Sequence, residues 1–250
     1  MAALDELKRY CNARPSVVLI DSFESFDYSV TRGGFYSRTG KFFENVTLNG
    51  TRLRLPWQFN LGKAQTNSLE LIQSEMNKAK VVFPVMIKTN QSTVTAESHF
   101  ITVVFNLEGL REALDSYTDE LIIQEFVNHD KVVYKVYAIG NHYTYYPRPS
   151  CSNIESSQDN MVGFRSDKPW PQKLLSQEEP ITRQLDSRVL DYCVSTLKEH
   201  AKISLFGVDI LVQSGTLDYV ICDLNAFPGY KEYQEVGSYI DELVKSLLDN

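Results

Sequence analysis

Three side chains with oxygen donors lie close together in the C-terminal part of the sequence. Residues 205–213, LFGVDILVQ, and 218–227, DYVICDLNAF, have the composition of two strands joined by the short turn SGTL. A turn of that length places Asp209 directly opposite Asp223 in an antiparallel pair, where the Cβ atoms of facing residues are about 5 Å apart. Asn225 lies two residues further on and shares the face of Asp223. Two carboxylates at that distance repel each other unless a cation lies between them.

The donor set indicates which cation this cluster could bind. Oxygen donors without histidine or cysteine favour Mg²⁺ or Mn²⁺. Magnesium sites combine one or two carboxylates with substrate phosphates, so the cluster predicts a nucleotide ligand. A surface hairpin with scattered polar residues is the alternative, and apolar neighbours on both strands favour a buried hairpin: Val208, Ile210, Val220 and Leu224. Pro228-Gly229 follows the second strand and predicts a sharp turn, either a plain one or one that brings the backbone close to a ligand.

Basic side chains are placed where a nucleotide would need them. Lys88 ends the apolar run FPVMIK, Lys135 lies within VVYKVYAIG, and Arg148 ends the run HYTYYPR. Lys135 points either to solvent or into a cleft, because alternate residues of a strand lie on opposite faces. Together with the acidic cluster these cations predict a phosphoryl-transfer site, since that chemistry depends on positioning and charge neutralisation. The P-loop and protein-kinase motifs are absent from the sequence.

A mixture of strands and helices must position these side chains. Periodicity predicts strands over 16–20, 83–88, 100–105, 120–127, 132–140 and 142–148, and helices over 68–79, 108–117, 182–199 and 236–250. Residues 21–57 are poorly periodic, and the proline-containing residues 151–180 predict a long loop. Strands joined by hairpins and interspersed with helices indicate an α+β protein in two lobes. The histidines form no cluster in the sequence: His99, His129, His142 and His200.

Composition limits the possible classes of function. The 250 residues are 43% hydrophobic and 23% charged, with a net charge of −7, which disfavours nucleic-acid binding. No run reaches the roughly 20 apolar residues that span a membrane. The cysteines form no CxxC pair, so neither a zinc site nor a disulfide framework is expected: Cys11, Cys151, Cys193 and Cys222. We expect a cytoplasmic protein, monomeric and with neither a nucleic-acid nor a membrane partner.

Several segments resemble one enzyme family, in the same order. SLFGVDILV followed by YVICDLNAFPGY resembles the C-terminal signature of the inositol 1,3,4-trisphosphate 5/6-kinases, also called inositol tetrakisphosphate 1-kinases. DSFESFDYSVTR, FPVMIKT, SHFITVVFNLEGL and QEFVNHDKVVYKVYAIGNHYTYYPRPS resemble successive upstream segments. The resemblance implies the ATP-grasp fold, with ATP between two α+β lobes, here residues 1–127 and 128–250. It also implies transfer of the γ-phosphate of ATP to a hydroxyl of an inositol tris- or tetrakisphosphate.

The resemblance implies roles around ATP for individual residues. Asp209, Asp223 and Asn225 match the family's magnesium ligands, which hold two ions, in agreement with the donor cluster. Arg32 and Lys88 match residues that hold the phosphates of ATP. The segment from Gln124 to Lys135, which includes Glu125 and Val127, matches the family's segment between the lobes, whose backbone meets the adenine. Ser150 matches a further contact to ATP.

A second group of residues matches the family's contacts to the inositol phosphate. These are His99, Lys135, Asn225 and the backbone of Gly229. In that arrangement Lys135 and Arg148 lie beside the transferring phosphate and offset its charge, which makes them the two catalytic candidates. The sequence names no general base, and phosphoryl transfer depends little on one.

Two departures from the family pattern bear on the substrate. Family members carry a further N-terminal domain that supplies basic residues to the inositol phosphate, whereas the likeness here begins at Tyr10. The family loop after the Lys-Thr pair contains a His-Gly, whereas KTNQSTVTAESH has no glycine, and a loop without glycine approaches phosphates less easily. Three alternatives stay open: a non-catalytic protein that binds ATP or inositol phosphate, an ATP-grasp ligase, and a fragment of a longer protein.

Overall fold

Two β-sheets dominate the computed structural model, which describes residues 2–25, 31–63, 68–91, 96–155 and 157–249. Their strands are β1 (Val46–Leu48), β2 (Thr51–Arg54), β3 (Gln58–Leu61), β4 (Val85–Thr89), β5 (Phe100–Val104), β6 (Leu121–Glu125), β7 (Val132–Ile139), β8 (His142–Pro149), β9 (Met161–Arg165), β10 (Leu205–Val212) and β11 (Tyr219–Ala226). The α-helices are α1 (Ala2–Asn12), α2 (Arg32–Phe43), α3 (Leu69–Ala79), α4 (Leu107–Leu114), α5 (Ser187–Ala201) and α6 (Val236–Leu248). None of the helices in the described residues is long and apolar enough to cross a membrane.

Each sheet takes strands from both halves of the chain. The six-stranded sheet has the order β1-β2-β11-β10-β7-β8, and the five-stranded sheet has the order β3-β6-β4-β5-β9. Strand β9 returns to the five-stranded sheet from beyond residue 127, while β1 and β2 join the six-stranded sheet through the parallel pair β2–β11. A division of the chain into lobes at residue 127 stays a prediction, and these strands cross any such boundary.

Helices α2 and α5 cover one face of the six-stranded sheet. Phe43 of α2 and Val189 of α5 are fully buried against the sheet, as is Phe206 of β10. Helix α5 begins at Ser187, later than the predicted start at residue 182, because Asp186 is extended and its carboxylate caps the helix. Helix α6 covers part of the opposite face, where it packs against Ile139 and Leu205, and the remainder of that face of β7, β10 and β11 carries polar side chains.

The five-stranded sheet has a helical face and a loop face. Ile72 of α3 and Leu110 of α4 are fully buried against one side of the sheet. Helix α3 begins where predicted, because the Ser68 hydroxyl accepts a hydrogen bond from the Leu71 N–H. Trp170, in the segment after β9, packs against the other side of the sheet. Both faces of this sheet are therefore covered, which explains its continuous apolar strands.

The predicted strand over 16–20 is wrong. These residues have no ladder partner in the described structure, and Val18 and Leu19 are exposed. Ile20 packs against the cluster under α6. The segment is fixed instead by Asp21, whose carboxylate accepts hydrogen bonds from backbone N–H groups at the start of β10. An apolar segment forms a β-strand only where a neighbouring strand is available to pair with it.

Several elements were not predicted from the sequence, among them helix α1 and strand β3. Helix α2 and the hairpin β1–β2 occupy the region 21–57, where glycines at 33, 34 and 40 interrupt the helical apolar pattern. Strand β9 lies within the predicted loop 151–180 and pairs with β5. It is a short edge strand, with Val162 and Phe164 buried in the core and Met161 packed half-buried against it.

A buried ion pair joins the two sheets. Arg54 of β2 forms an ion pair with Glu125 of β6 and donates a hydrogen bond to the Gln213 side chain at 2.7 Å. The side chains of Arg54 and Glu125 are only 5% and 11% exposed. We expect Arg54→Ala to lower the free energy of unfolding by about 3–5 kcal/mol, because it leaves an unpaired buried carboxylate.

Chemical denaturation measures this effect. The control is Arg52→Ala, which removes the same charge from a half-buried position on the same strand. We expect that control to lower the free energy of unfolding by less than about 1 kcal/mol. Equal losses in the two variants would contradict the importance of the Arg54–Glu125 pair.

Candidate active site

The two strands of the acidic hairpin pair in the predicted register around the carboxylates. Asp209 lies opposite Asp223, and Gly207 lies opposite Asn225. The register shifts between Asp209 and Ile210, so Cys222 is an extra residue on β11. Such a β-bulge redirects the neighbouring side chains and frees a backbone group from the ladder. The predicted register is therefore correct beyond the bulge and one residue off on the turn side.

A lysine extends the acidic pair into a row across three neighbouring strands. Lys135 of β7 lies opposite Asp209 of β10. Its Nζ is 3.0 Å from Oδ1 and 2.8 Å from Oδ2 of Asp209. Asn225 Nδ2 donates to Asp223 Oδ2 at 3.3 Å, so the amide oxygen of Asn225 is the atom available to a cation. The hairpin thus brings together all three predicted metal ligands and the predicted catalytic lysine.

Burial and neighbouring charges shift the pKa values of the groups in this row. Burial raises the pKa of Asp209 above its ordinary value, and the nearby Asp223 adds to that effect while Lys135 opposes it. Burial would lower the pKa of Lys135, but the Asp209 carboxylate raises it above its ordinary value. A second ammonium, that of Lys88, also lowers the pKa of Asp209. Lys135 pairs with Asp209, and no ion pair among the described residues involves Asp223, so a divalent cation beside Asp223 would be favourable.

The donor set fits a hard divalent cation. Asp209 and Asp223 provide carboxylate oxygens and Asn225 provides an amide oxygen, which is the donor chemistry of Mg²⁺. Within the described ranges, no group of three or more His, Cys, Asp or Glu side chains is placed to hold a metal ion. A metal at this site would therefore depend on these two carboxylates, the amide and oxygens from a substrate.

Lys88 approaches the acidic row from the other sheet. It is buried near the end of β4, and its Nζ donates to Gln124 Oε1 at 2.9 Å. Gln124 Nε2 in turn donates at 2.9 Å to the hydroxyl of Tyr36, which donates to the carbonyl of Cys222 at 2.8 Å. Burial lowers the pKa of Lys88, and the nearby Arg32 guanidinium lowers it further. Two cations are therefore close together where the phosphates of a nucleotide are predicted to bind.

Arg32 is engaged with the loop that follows Lys88. Its Nη1 donates to the carbonyls of Thr89 and Gln91, both at 2.8 Å, and its Nη2 donates to the carbonyl of Ser98 at 3.2 Å. Arg32 thus holds both ends of the predicted polar loop, of which residues 92–95 lie outside the described residues. Direct contact between Arg32 and a phosphate stays a prediction.

The segment between β6 and β7 contains a histidine that the sequence analysis did not single out. His129 Nδ1 donates to the Val127 carbonyl at 2.6 Å. Burial lowers the pKa of His129, so the ring is neutral and Nε2 accepts from the Ser150 hydroxyl at 2.7 Å. His129 therefore links two of the predicted ATP-binding positions. The carboxylate of Glu125, another such position, is occupied by Arg54 and by the Trp57 N–H.

The predicted substrate residues are only partly brought together. Lys135 and Asn225 lie in or beside the acidic row. His99 is exposed at the end of the 3₁₀ helix Ala96–His99, where its carbonyl accepts from the Ser166 N–H. In the part of the chain that the structure describes, no hydrogen bond joins His99 to Lys135 or Asn225.

Arg148 lies on the same face of the sheet as Lys135. On β8 it pairs with Val133, two residues before Lys135 on β7. Its Nη1 donates to Glu232 Oε2 at 2.8 Å, and this bond raises the pKa of the guanidinium. Glu232 belongs to the segment after β11, so this ion pair ties the turn at Pro228-Gly229 to β8.

The turn after β11 differs in detail from the prediction. Gly229 is exposed, and a Cβ added there would meet nothing within 4 Å. The left-handed residues of the turn are Phe227 and Tyr230, with φ of 43° and 44°. Gly207, opposite Asn225, is the glycine that the turn requires, because a Cβ there would lie 3.1 Å from Pro228 Cγ.

Solved structures with a similar architecture include an ATP-grasp ligase. An ATP-grasp ligase named PsnB, in complex with a minimal precursor, superposes with a TM-score of 0.56 over 93% of this chain and 66% of its own, at 14% identity. D-alanyl-alanine synthetase A from Vibrio cholerae O1 has a TM-score of 0.58 over 92% of this chain and 68% of its own, at 9% identity. These likenesses confirm the predicted α+β ATP-grasp fold.

Sequence comparison assigns the family. The inositol 1,3,4-trisphosphate 5/6-kinase ATP-grasp domain matches residues 49–249. The inositol-tetrakisphosphate 1-kinase of Xenopus laevis is 26% identical over 94% of this chain and 59% of its own length. Inositol-tetrakisphosphate 1-kinase 6 of Oryza sativa subsp. indica is 30% identical over 64% of this chain and 30% of its own. The chain spans 59% or less of these two relatives, and it belongs to the inositol 1,3,4-trisphosphate 5/6-kinase ATP-grasp domain family.

Proposed function

We propose that the chain is an ATP- and Mg²⁺-dependent kinase that phosphorylates a hydroxyl of an inositol tris- or tetrakisphosphate. The observation that carries this proposal is the row of Lys135, Asp209 and Asp223 on one sheet, approached by buried Lys88 from the other. The relatives from Xenopus laevis and Oryza sativa are named inositol-tetrakisphosphate 1-kinases, which supports an inositol phosphate as the acceptor.

In this proposal the five-stranded sheet and the segment after it bind the nucleotide. Lys88 and Arg32 supply the positive charge for the phosphates of ATP. The backbone from Gln124 to Lys135, including Glu125 and Val127, meets the adenine. Ser150 makes a further contact, oriented by its hydrogen bond to His129. The lowered pKa of Lys88 supports this assignment, because a buried ammonium gains most from an anionic ligand.

The six-stranded sheet provides the metal site and the transfer site. Asp209, Asp223 and Asn225 would hold two Mg²⁺ ions. Mg²⁺ held by these residues would supply positive charge to the phosphates of the nucleotide. Lys135 is held at the same face by Asp209, so its ammonium can offset charge on the transferred phosphate. Arg148 adds positive charge further along that face.

The acceptor occupies the open side of this face. The inositol phosphate contacts His99, Lys135, Asn225 and the backbone of Gly229. The exposure of His99, Asn225 and Gly229 supports this placement, because an incoming substrate must reach them. An inositol hydroxyl oxygen attacks the γ-phosphorus in line, the bond from that phosphorus to the β–γ bridging oxygen breaks, and ADP leaves. The hydroxyl proton passes to solvent, since no protein group is assigned as its base.

We further propose that the protein acts as a cytoplasmic monomer with lobes over residues 1–127 and 128–250. The four cysteines are free thiols, which supports a reducing compartment: Cys11, Cys151, Cys193 and Cys222. The net charge of −7 supports the absence of a nucleic-acid partner. Sedimentation at micromolar concentration would test the monomer.

Acceptor-dependent formation of ADP tests the proposed function. The protein is incubated with Mg-ATP and, separately, with each member of a panel of inositol tris- and tetrakisphosphates. We expect ADP to accumulate only when an acceptor and Mg²⁺ are both present, and chelation of the metal to stop it. ADP formation that no acceptor increases would contradict a kinase and indicate simple ATP hydrolysis.

A non-catalytic protein that binds ATP or inositol phosphate is the second candidate. The observation that favours it is that acidic partners already neutralise two catalytic cations: Asp209 pairs with Lys135, and Glu232 pairs with Arg148. Thermal unfolding with Mg-ATP and with inositol hexakisphosphate separates the candidates. Stabilisation by both ligands without ADP formation would favour the binding protein. A ligase has no such support, because the ligase likenesses concern the fold alone.

A further inference from the structure

We propose that Tyr36 is a positioning residue that fixes the metal-binding hairpin and the phosphate-binding lysine relative to each other. This inference rests on the proposed function of the site. Tyr36 lies on α2, in a region that the sequence left unassigned, and belongs to a core cluster with residues of both sheets, among them Ile122 and Val208. Its side chain is buried, and its hydroxyl bonds to one group from each sheet.

On the side of the metal, Tyr36 holds the bulge. Cys222 is the extra residue of β11, and it immediately precedes Asp223. Its carbonyl accepts the Tyr36 hydroxyl at 2.8 Å, and its Sγ donates to the Asp209 carbonyl at 3.4 Å. The backbone at a β-bulge is not fixed by the ladder hydrogen bonds, and these two contacts fix its orientation here. The direction of the Asp223 carboxylate therefore depends on the Tyr36 hydroxyl.

On the side of the nucleotide, Tyr36 orients the partner of Lys88. The two N–H groups of Gln124 Nε2 donate to the Tyr36 hydroxyl at 2.9 Å and to Gln58 Oε1 at 3.0 Å. Its Oε1 accepts from Lys88 Nζ at 2.9 Å. A flipped amide would turn its N–H groups toward the ammonium, so only this orientation satisfies every partner. The Tyr36 hydroxyl thus helps to hold Lys88 through Gln124.

The direction of each hydrogen bond in this chain is fixed. A carbonyl can only accept, so the hydroxyl donates to Cys222 and accepts from Gln124. Burial raises the pKa of Tyr36, which keeps the hydroxyl protonated. A phenylalanine at this position would keep the ring packing and leave a buried carbonyl and a buried amide N–H without this partner.

Metal affinity tests the inference without requiring turnover. Mn²⁺ binding is measured by electron paramagnetic resonance in the presence of saturating ADP. We expect Tyr36→Phe to weaken Mn²⁺ binding about tenfold, the lower end of the range for groups that orient metal ligands. The matched control is Tyr192→Phe, because the Tyr192 hydroxyl also donates to a backbone carbonyl, that of Phe42 at the other end of α2. We expect the control to bind Mn²⁺ like the unmodified protein.

A second variant tests the link between the sheets. Gln124→Met removes the group that joins Lys88 to Tyr36 while leaving the hairpin untouched. We expect it to weaken Mn²⁺ binding as well, and the double variant with Tyr36→Phe to lose less than the sum of the two single losses. This variant also keeps the inference testable if Tyr36→Phe fails to fold.

The outcomes separate this inference from the proposed function. One outcome would overturn the role of Tyr36 alone. In that outcome the unmodified protein binds Mn²⁺ and ADP, and the Tyr36→Phe and Gln124→Met variants bind Mn²⁺ as tightly as the Tyr192→Phe control. Unmodified protein that binds no Mn²⁺ in the presence of ADP would overturn both the metal site and the role of Tyr36. Weakened binding in both variants, with melting temperatures close to that of the control, supports the inference.

Discussion

Asp223→Asn is expected to reduce phosphoryl transfer by about a thousandfold, the upper range for loss of one electrostatic contact in a reacting site. Asp223 lies opposite Asp209 and supplies one of the two carboxylates of the row. Asparagine keeps the shape and removes the charge, so a divalent cation would lose one of its two carboxylate donors here. The rate of acceptor-dependent ADP formation at saturating ATP measures the loss.

The same substitution is expected to leave the fold intact or slightly more stable. It removes the repulsion between two facing carboxylates, which burial makes unfavourable. The control is Asp218→Asn, the same change of charge at the turn of the same hairpin. We expect the control to keep full activity. An Asp223→Asn enzyme within tenfold of the control would contradict the assignment of Asp223 as a metal ligand.

Lys88→Met is expected to weaken ATP binding about a hundredfold, because charge-assisted hydrogen bonds contribute roughly 1.5–3 kcal/mol and the site is buried. Methionine matches the length of the stem and removes the ammonium. Isothermal titration with ADP and with ATP measures the change. Lys78→Met is the control, since Lys78 lies on the exposed side of α3 and pairs with Glu75 in an exposed ion pair.

Lys88→Met should also raise the stability of the protein without ligand. Burial and Arg32 lower the pKa of Lys88, so the folded state disfavours the charged form that the unfolded chain carries at neutral pH. Removing the ammonium relieves that cost at every pH below the ordinary pKa of lysine. A variant with weaker ATP binding and a higher melting temperature would fit a residue kept for function. Unchanged ATP affinity would contradict the role of Lys88.

Local patterns in the sequence were sufficient for the acidic hairpin. A short turn between two apolar strands fixes which residues face each other, so the Asp209–Asp223 pair followed from spacing alone. Lys135 was less certain, because alternation gives two faces and only the long-range pairing of β7 with β10 selects one. The bulge at Cys222 has no signal in the spacing, since one extra residue leaves the apolar pattern almost unchanged.

The parts that join the sheets could not be predicted from local patterns. Tyr36 contacts the carbonyl of Cys222, which lies 186 residues away in the chain. Arg54 and Glu125 are charged residues whose burial depends on each other. Helix α2 is rich in glycine, so its apolar positions give little helical signal. The role of His129 has no local signal either, because its partners are a backbone carbonyl and the hydroxyl of Ser150, 21 residues away in the chain.

The fate of the γ-phosphate tests the central claim most directly. The 250-residue chain is incubated with Mg-ATP labelled at the γ-phosphate and with the panel of inositol tris- and tetrakisphosphates, and the products are resolved by anion-exchange chromatography. Our account predicts that the label appears in a new inositol phosphate that carries one more phosphate than its acceptor. The account would be contradicted if, with every acceptor, the label stayed in ATP or was released only as inorganic phosphate. The protein would then not be an inositol phosphate kinase.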